Sequence, residues 1–146
     1  MKNNIVVFDL DGTLSLVGDR LKYVKGEKKD YDAFYERVME DTVNFPIRDI
    51  FWALRRMGKT IVIVTGRREA VREQTLRWLS INMMYIESRD LYMRPHNNIR
   101  KVMEIKPELI ADFADNIEMI FEDKKKMCDK WRELGYTCLQ VAEGNF

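Results

Sequence analysis

The sequence predicts an α/β fold with a central parallel sheet covered by helices on both faces, and three observations carry that prediction. Ile5-Val6-Val7-Phe8 and Thr60-Ile61-Val62-Ile63-Val64 are short apolar runs without polar alternation, the signature of strands buried on both faces. Such runs alternate with segments of helical period, an order that favours right-handed crossovers. Polar residues also cluster directly after the apolar runs, and parallel sheets gather ligands at the carboxyl ends of their strands.

Taken in order, Ile5 to Phe8 is the first strand. Leu16 to Asp30 is polar, contains Gly18 and Gly26, and reads as an irregular excursion. Tyr31, Phe34, Tyr35, Val38 and Met39 fall at i, i+3, i+4, i+7 and i+8, which predicts an amphipathic helix. Pro46 suits the first turn of the next helix and Gly58 its C-terminal cap, with Ile47, Ile50, Phe51, Leu54 and Met57 as the buried stripe. The strand from Thr60 to Val64 follows, then a helix over Arg68 to Ser80 with Val71, Trp78 and Leu79 inward. Leu91-Tyr92-Met93 is the third strand. A helix is predicted over Met103 to Phe113, with Pro107 in its first turn and Lys106 therefore at its start. Ile117 to Phe121 is the fourth strand, a helix with Met127, Trp131 and Leu134 ends at Gly135, and Tyr136 to Val141 supplies the last strand.

Composition bounds the function. The 146 residues suit one domain with one sizeable core, over residues 1–146. Lys and Arg number 25 against 24 Asp and Glu, so a nucleic acid partner would need a local basic patch. Residues 89–106 offer one, with five Lys or Arg against two acids, although a solvated face explains it equally. Cys128 and Cys138 show neither metal-ligand spacing nor the density of a small secreted fold, and read as reduced. No signal segment or membrane span is apparent, and a cytoplasmic protein is expected.

The candidate chemistry lies where the strands end. Asp9 and Asp11 follow the first strand, Thr65-Gly66-Arg67 the second, Arg94 the third, and Glu122-Asp123 the fourth. Carboxylates brought together are costly unless a cation neutralises them, and an all-oxygen set favours Mg²⁺, with Asp9, Asp11, Glu122 and Asp123 as candidate ligands. A carboxylate such as Asp9 can attack phosphorus, and Asp11 can protonate a leaving oxygen and then activate water. Gly12 permits a tight turn close to phosphate, and Thr65 can hydrogen-bond a phosphoryl oxygen. Lys106 falls on an apolar helix face and should point into the fold, where it can hold the phosphate and Asp9; Lys101 is the alternative, and a snorkelling surface lysine the bland reading. Other bland readings are a capped turn or calcium-loop fragment for Asp9 to Thr13, and a helix-capping pair for Glu122-Asp123.

Asp9-Leu10-Asp11-Gly12-Thr13 resembles the first motif of the haloacid dehalogenase (HAD) superfamily of phosphatases. Ile61 to Arg67 resembles its second motif and Glu122-Asp123 its acidic fourth. Thr65-Gly66-Arg67, Leu91 to Pro95, Lys106, and Trp131 to Gly135 with Cys138 to Val141 are similar to the phosphatase domain of phage-type polynucleotide kinase/phosphatases. The resemblance covers nearly the whole chain. It implies a HAD-like three-layer fold with a minimal cap or flap at about 16–44. It also implies a Mg²⁺-dependent phosphomonoesterase working through an aspartyl-phosphate on nucleotides or nucleic acid ends, 3′-phosphates included. Asp9, Asp11, Thr65 and Lys106 would be catalytic, and Gly12, Thr13, Gly66, Arg67 and Arg94 would contact substrate. The family's kinase half has no counterpart here, since no Gly-rich Lys-Ser/Thr phosphate loop is present, which motivates a separate kinase as partner. Val102 and Met103 stand where acids are usual, Asn98 where Asp is common, and Lys124 where Arg is common. The competing readings are a 5′-deoxynucleotidase or sugar-phosphate phosphatase, and a noncatalytic binder of nucleic acid ends.

Overall fold

In a computed structural model, which describes residues 3–144, Ile5–Phe8 forms strand β1 at the centre of a five-stranded parallel sheet. Thr60–Arg68 (β4) and Ile117–Glu122 (β6) flank it, and Leu91–Arg94 (β5) and Cys138–Gln140 (β7) form the edges. Ser15–Leu16 (β2) and Thr42–Val43 (β3) make a separate antiparallel pair. The helices are Tyr31–Glu36 (α1), Phe45–Arg56 (α2), Arg72–Ile81 (α3), Val102–Leu109 (α4) and Lys125–Glu133 (α5). β4 and β5 lie on one side of β1 and β6 and β7 on the other, so the crevice at a topological switch point opens beyond its last residue, Phe8.

Alternation along the strands sorts side chains into two cores. Val6, Phe8, Ile61 and Ile63 pack with Ile47 and Phe51 of α2 and with Trp78 and Leu79 of α3. Val7, Val62 and Val64 face the opposite way, against Ile110, Phe113, Met127 and Trp131. This is why both central strands read as continuous apolar runs: each side chain has a helical layer to enter. Phe8 stacks on Phe121 with ring centroids 4.6 Å apart and meets Phe51 at 5.6 Å.

The register carries one interruption that shapes the site. β4 pairs with β5 at Ile63↔Leu91 and Val64↔Tyr92, then only again at Arg68↔Arg94. Thr65, Gly66 and Arg67 bulge out between these pairs, as strands do beside functional sites. A Cβ on Gly66 would lie 2.7 Å from the Val102 Cγ1 methyl, so only glycine lets α4 approach this closely.

Several boundaries differ from the sequence reading. α1 stops at Glu36, and Tyr31 and Met39 are exposed, because the chain turns at Arg37 into a short 3₁₀ segment that buries Val38 alone. Ile50 and Met57 lie outside the buried stripe of α2, and Leu134 is exposed beyond α5. α4 begins at Val102, with Glu104 accepting from the Lys101 N–H, and Ala111–Asn116 is 3₁₀ rather than α-helix. Pro107 therefore sits in the helix interior, and Lys106 projects from the second turn rather than the start. No helix among the described residues is long and apolar enough to cross a membrane.

Phe8→Ala removes the ring on which Phe51 and Phe121 pack, and should cost about 3–5 kcal/mol. Urea unfolding checks this; a loss below about 1 kcal/mol would contradict the assigned packing.

Candidate active site

Asp9 is the first residue past β1, and its N–H donates to the Phe121 carbonyl at 2.9 Å, continuing the ladder for one more step. The carboxylate is 95% buried yet fully engaged. Lys106 Nζ donates to Oδ1 at 2.7 Å, and Thr13 Oγ1 lies 3.1 Å from Oδ2. Lys106 also donates to Glu122 Oε2 at 2.8 Å. Burial alone would neutralise this lysine, but the two carboxylates outweigh it and push its pKa well up, so it is an ammonium ion.

Asp9, Glu122 and Asp123 each present an oxygen within 4.8 Å of the others. Burial, and then the charges of neighbouring carboxylates, raise the pKa of both Glu122 and Asp123. With all three carboxylates ionised against one ammonium, two negative charges would be left, the deficit a divalent cation fills. The set is all oxygen and suits a hard ion. Gly12, at φ +89°, makes room for the Asp123 carboxylate: a Cβ there would lie 2.1 Å from Asp123 Oδ2. The tail closes the other side, where a Cβ on Gly144 would lie 2.0 Å from the Asp123 carbonyl. These residues fit a divalent metal.

The Asp11 side chain lies outside this carboxylate cluster. Arg67 Nη2 and Arg20 Nη2 each donate to Oδ1 at 2.7 Å, and Arg67 Nε sits 3.1–3.2 Å from both oxygens. Burial pushes the Asp11 carboxyl up, but the two guanidinium groups prevail and hold it down to about 2. Asp11 is ionised as placed. It is also the least buried of these acids, with 19% of its side chain exposed.

Arg67 is fully buried and spreads its donors over Asp11, Asp41 Oδ2 at 3.2 Å and Thr75 Oγ1 at 3.0 Å. As placed, it holds Asp11. Arg94 likewise binds backbone: Nε donates to the Gly66 carbonyl at 3.0 Å and Nη1 to the Asn98 carbonyl at 3.1 Å. Thr65 is buried, and its hydroxyl oxygen accepts from the Arg67 N–H at 3.1 Å, which leaves the hydroxyl proton to give. Lys101 is exposed, so of the two candidate lysines Lys106 alone reaches the carboxylates.

Two residues escaped the sequence reading. Arg20 binds Asp41 in bidentate fashion at 2.7 and 2.6 Å, reaches the Phe34 carbonyl at 3.0 Å, and lies over the Phe34 ring. Asp41 is held in turn by the Trp78 indole, which donates to its carbonyl. Neither sits in a periodic segment or at the end of an apolar run, so no local signal marks them.

A family model for the "Polynucleotide kinase PNKP phosphatase domain" matches residues 3–146. The chain is similar to a protein of the Pnkp1/Rnl/Hen1 complex, at 30% identity and TM-score 0.84, over 99% of this chain and 48% of that one. A second structure, of the Pnkp1/Rnl/Hen1 RNA repair complex, matches at 31% identity and TM-score 0.82, over 97% and 43%. The chain thus spans just under half the length of these solved proteins. A HAD hydrolase of Entamoeba histolytica shares the fold at 14% identity and TM-score 0.66, over 100% and 86%.

Asp41→Asn leaves Arg20 and Arg67 short of one buried charge and should destabilise the protein by about 3–5 kcal/mol in urea unfolding. An unchanged midpoint would contradict the network. Millimolar Mg²⁺ should raise Tm by mass action. Asp123→Asn should abolish that rise while changing metal-free stability by only about 1 kcal/mol, because the buried acid resembles its amide when protonated. A Mg²⁺ response surviving in that variant would remove Asp123 from the metal site.

Proposed function

The chain belongs to the family of PNKP phosphatase domains, a HAD-type phosphatase family, and from that premise we propose that it hydrolyses phosphomonoesters on nucleotides or nucleic acid ends, 3′-phosphates included. One observation carries the mechanism. Asp9 is fixed at the carboxyl end of the central strand by Lys106 on one oxygen and Thr13 beside the other, next to two further carboxylates.

In the proposed reaction an Asp9 oxygen attacks phosphorus, the bond from phosphorus to the sugar oxygen breaks, and an aspartyl-phosphate forms on Asp9. Mg²⁺, held by Asp9 and Asp123 with Glu122 beside them, would offset the repulsion between this carboxylate and a phosphate dianion. Lys106 and the Thr65 hydroxyl supply donors for the phosphoryl oxygens, and Gly12, Thr13 and Gly66 shape the turns around them. Asp11 gives its proton to the leaving oxygen. In the second step it takes a proton from the water that attacks phosphorus, which releases inorganic phosphate and restores Asp9. The arginine-clamped Asp11 is the ionised form suited to that second step. To carry a proton in the first step, its carboxyl turns away from Arg20 and Arg67.

Residues 16–44 are the small flap of this reading, too short to bury a substrate, which suits a polymer end. The solved relatives at 30–31% identity come from Pnkp1/Rnl/Hen1 complexes, one of them described as an RNA repair complex, and that supports a nucleic acid end as substrate. A separate kinase is the partner this reading expects.

Asp9→Asn should release no phosphate from a 3′-phosphorylated oligonucleotide while unfolding at a similar temperature. Near-normal turnover would refute the nucleophile. In a panel of 3′-phosphorylated oligonucleotides, mononucleotides and sugar phosphates with Mg²⁺, a strong preference for sugar phosphates would refute the substrate class.

A further inference from the structure

We propose that the surface built by Lys28, Lys29, Tyr31 and Arg68 binds the nucleic acid strand behind its phosphorylated end, with a base on Tyr31 and backbone phosphates on the three cations. This deepens the phosphatase reading and rests on it for the position of the end.

The surface begins at the candidate active site. Gly66 lies in the bulge between Thr65 and Arg67, and its carbonyl accepts from the Tyr35 hydroxyl at 3.2 Å. The Tyr35 ring stacks on Tyr31 with centroids 6.4 Å apart and planes 23° from parallel. Arg68, the residue after the bulge, places its guanidinium 5.8 Å from the Tyr31 ring centre and 5.3 Å from that of Tyr35. An aromatic and cationic ledge therefore runs outward from the phosphate turn.

Its outer end is open. Tyr31 is 41% exposed although it starts a helix whose period would bury it. Lys28 and Lys29 are exposed and make no ion pair among the described residues. Asp30 and Asp32 line the surface with these cations, and exposed Glu27 precedes Lys28. Asp30 caps α1 by accepting from the Ala33 N–H. Asp32 pairs with Arg68 at 2.8 Å, but 83% of the Asp32 side chain is exposed, and so exposed a pair yields readily to a phosphate. Stacking faces combined with a cationic track are what single strands bind without regard to sequence. A lone phosphate or sugar phosphate at Asp9 would leave this ledge untouched, so the ledge points to a polymer.

The test separates binding from hydrolysis. A fluorescent single-stranded oligonucleotide with a 3′-hydroxyl end, which cannot turn over, is titrated into the full chain. Tyr31→Ala should weaken its binding on the order of tenfold, and Tyr31→Phe should not. The double variant Lys28→Ala/Lys29→Ala should reduce the slope of log affinity against log salt by about 1.4, at roughly 0.7 per phosphate contact. All three variants should keep wild-type hydrolysis of a nucleoside 3′-monophosphate. Unchanged oligonucleotide affinity and salt slope would overturn the proposal, as would wild-type protein that does not bind the strand. A variant that also loses nucleoside phosphate hydrolysis would overturn it too, because the residue would then serve the reacting centre. Failure of the phosphatase reading would appear separately, as wild-type protein that binds the strand but hydrolyses neither substrate.

Discussion

Two aspartates two residues apart at the end of one strand, one buried and one half-buried, must each find opposite charge without sharing it. Their separation organises the molecule. Asp9 turns to Lys106, Thr13 and the Glu122-Asp123 pair. Asp11 turns to Arg20 and Arg67. Leu10 between them is fully buried in the core, and Gly12 reverses the chain immediately after. The first set keeps an excess of negative charge that fits a cation. The second is balanced, with two guanidinium groups facing Asp11 and Asp41.

That balance ties distant segments together. Arg20 and Asp41 come from opposite ends of the segment between β2 and β3, so their bidentate contact closes that segment on itself. Trp78 of α3 fastens Asp41, and Tyr35 of α1 fastens the Gly66 carbonyl. Residues 17–41 are thus held to the site by satisfied polar groups. Arg94 adds a clasp from the sheet edge, since the same Gly66 carbonyl accepts from it. The turn expected to receive phosphate is supported from both sides before any ligand arrives.

The sheet was legible because its signal is local. Every strand buried on two faces reads as an apolar run, and the candidate site residues follow where such a run stops, as at Asp9, Thr65 and Asp123. Lys106 was legible for a different reason, as a charge on an apolar helix face, even though Pro107 misplaced the helix start. Arg20 and Asp41 were not legible, because their meaning lies in a contact across 21 residues of irregular chain. Arg67 is legible in sequence as a site residue, but its partners Asp11, Asp41 and Thr75 are legible only in space. Tyr31 follows helical period and yet faces solvent, and that mismatch first marks the ledge beside the site.

The central claim is that the Asp9 carboxylate itself takes the phosphoryl group. The direct measurement is to quench a single turnover with acid, reduce the protein with borohydride, and sequence its peptides by mass spectrometry. Acyl phosphates are reduced to alcohols, so the account predicts reduction at position 9 alone, dependent on Mg²⁺ and substrate. Phosphate release with no modified residue, or modification at Asp11 or Asp123 instead, would contradict it.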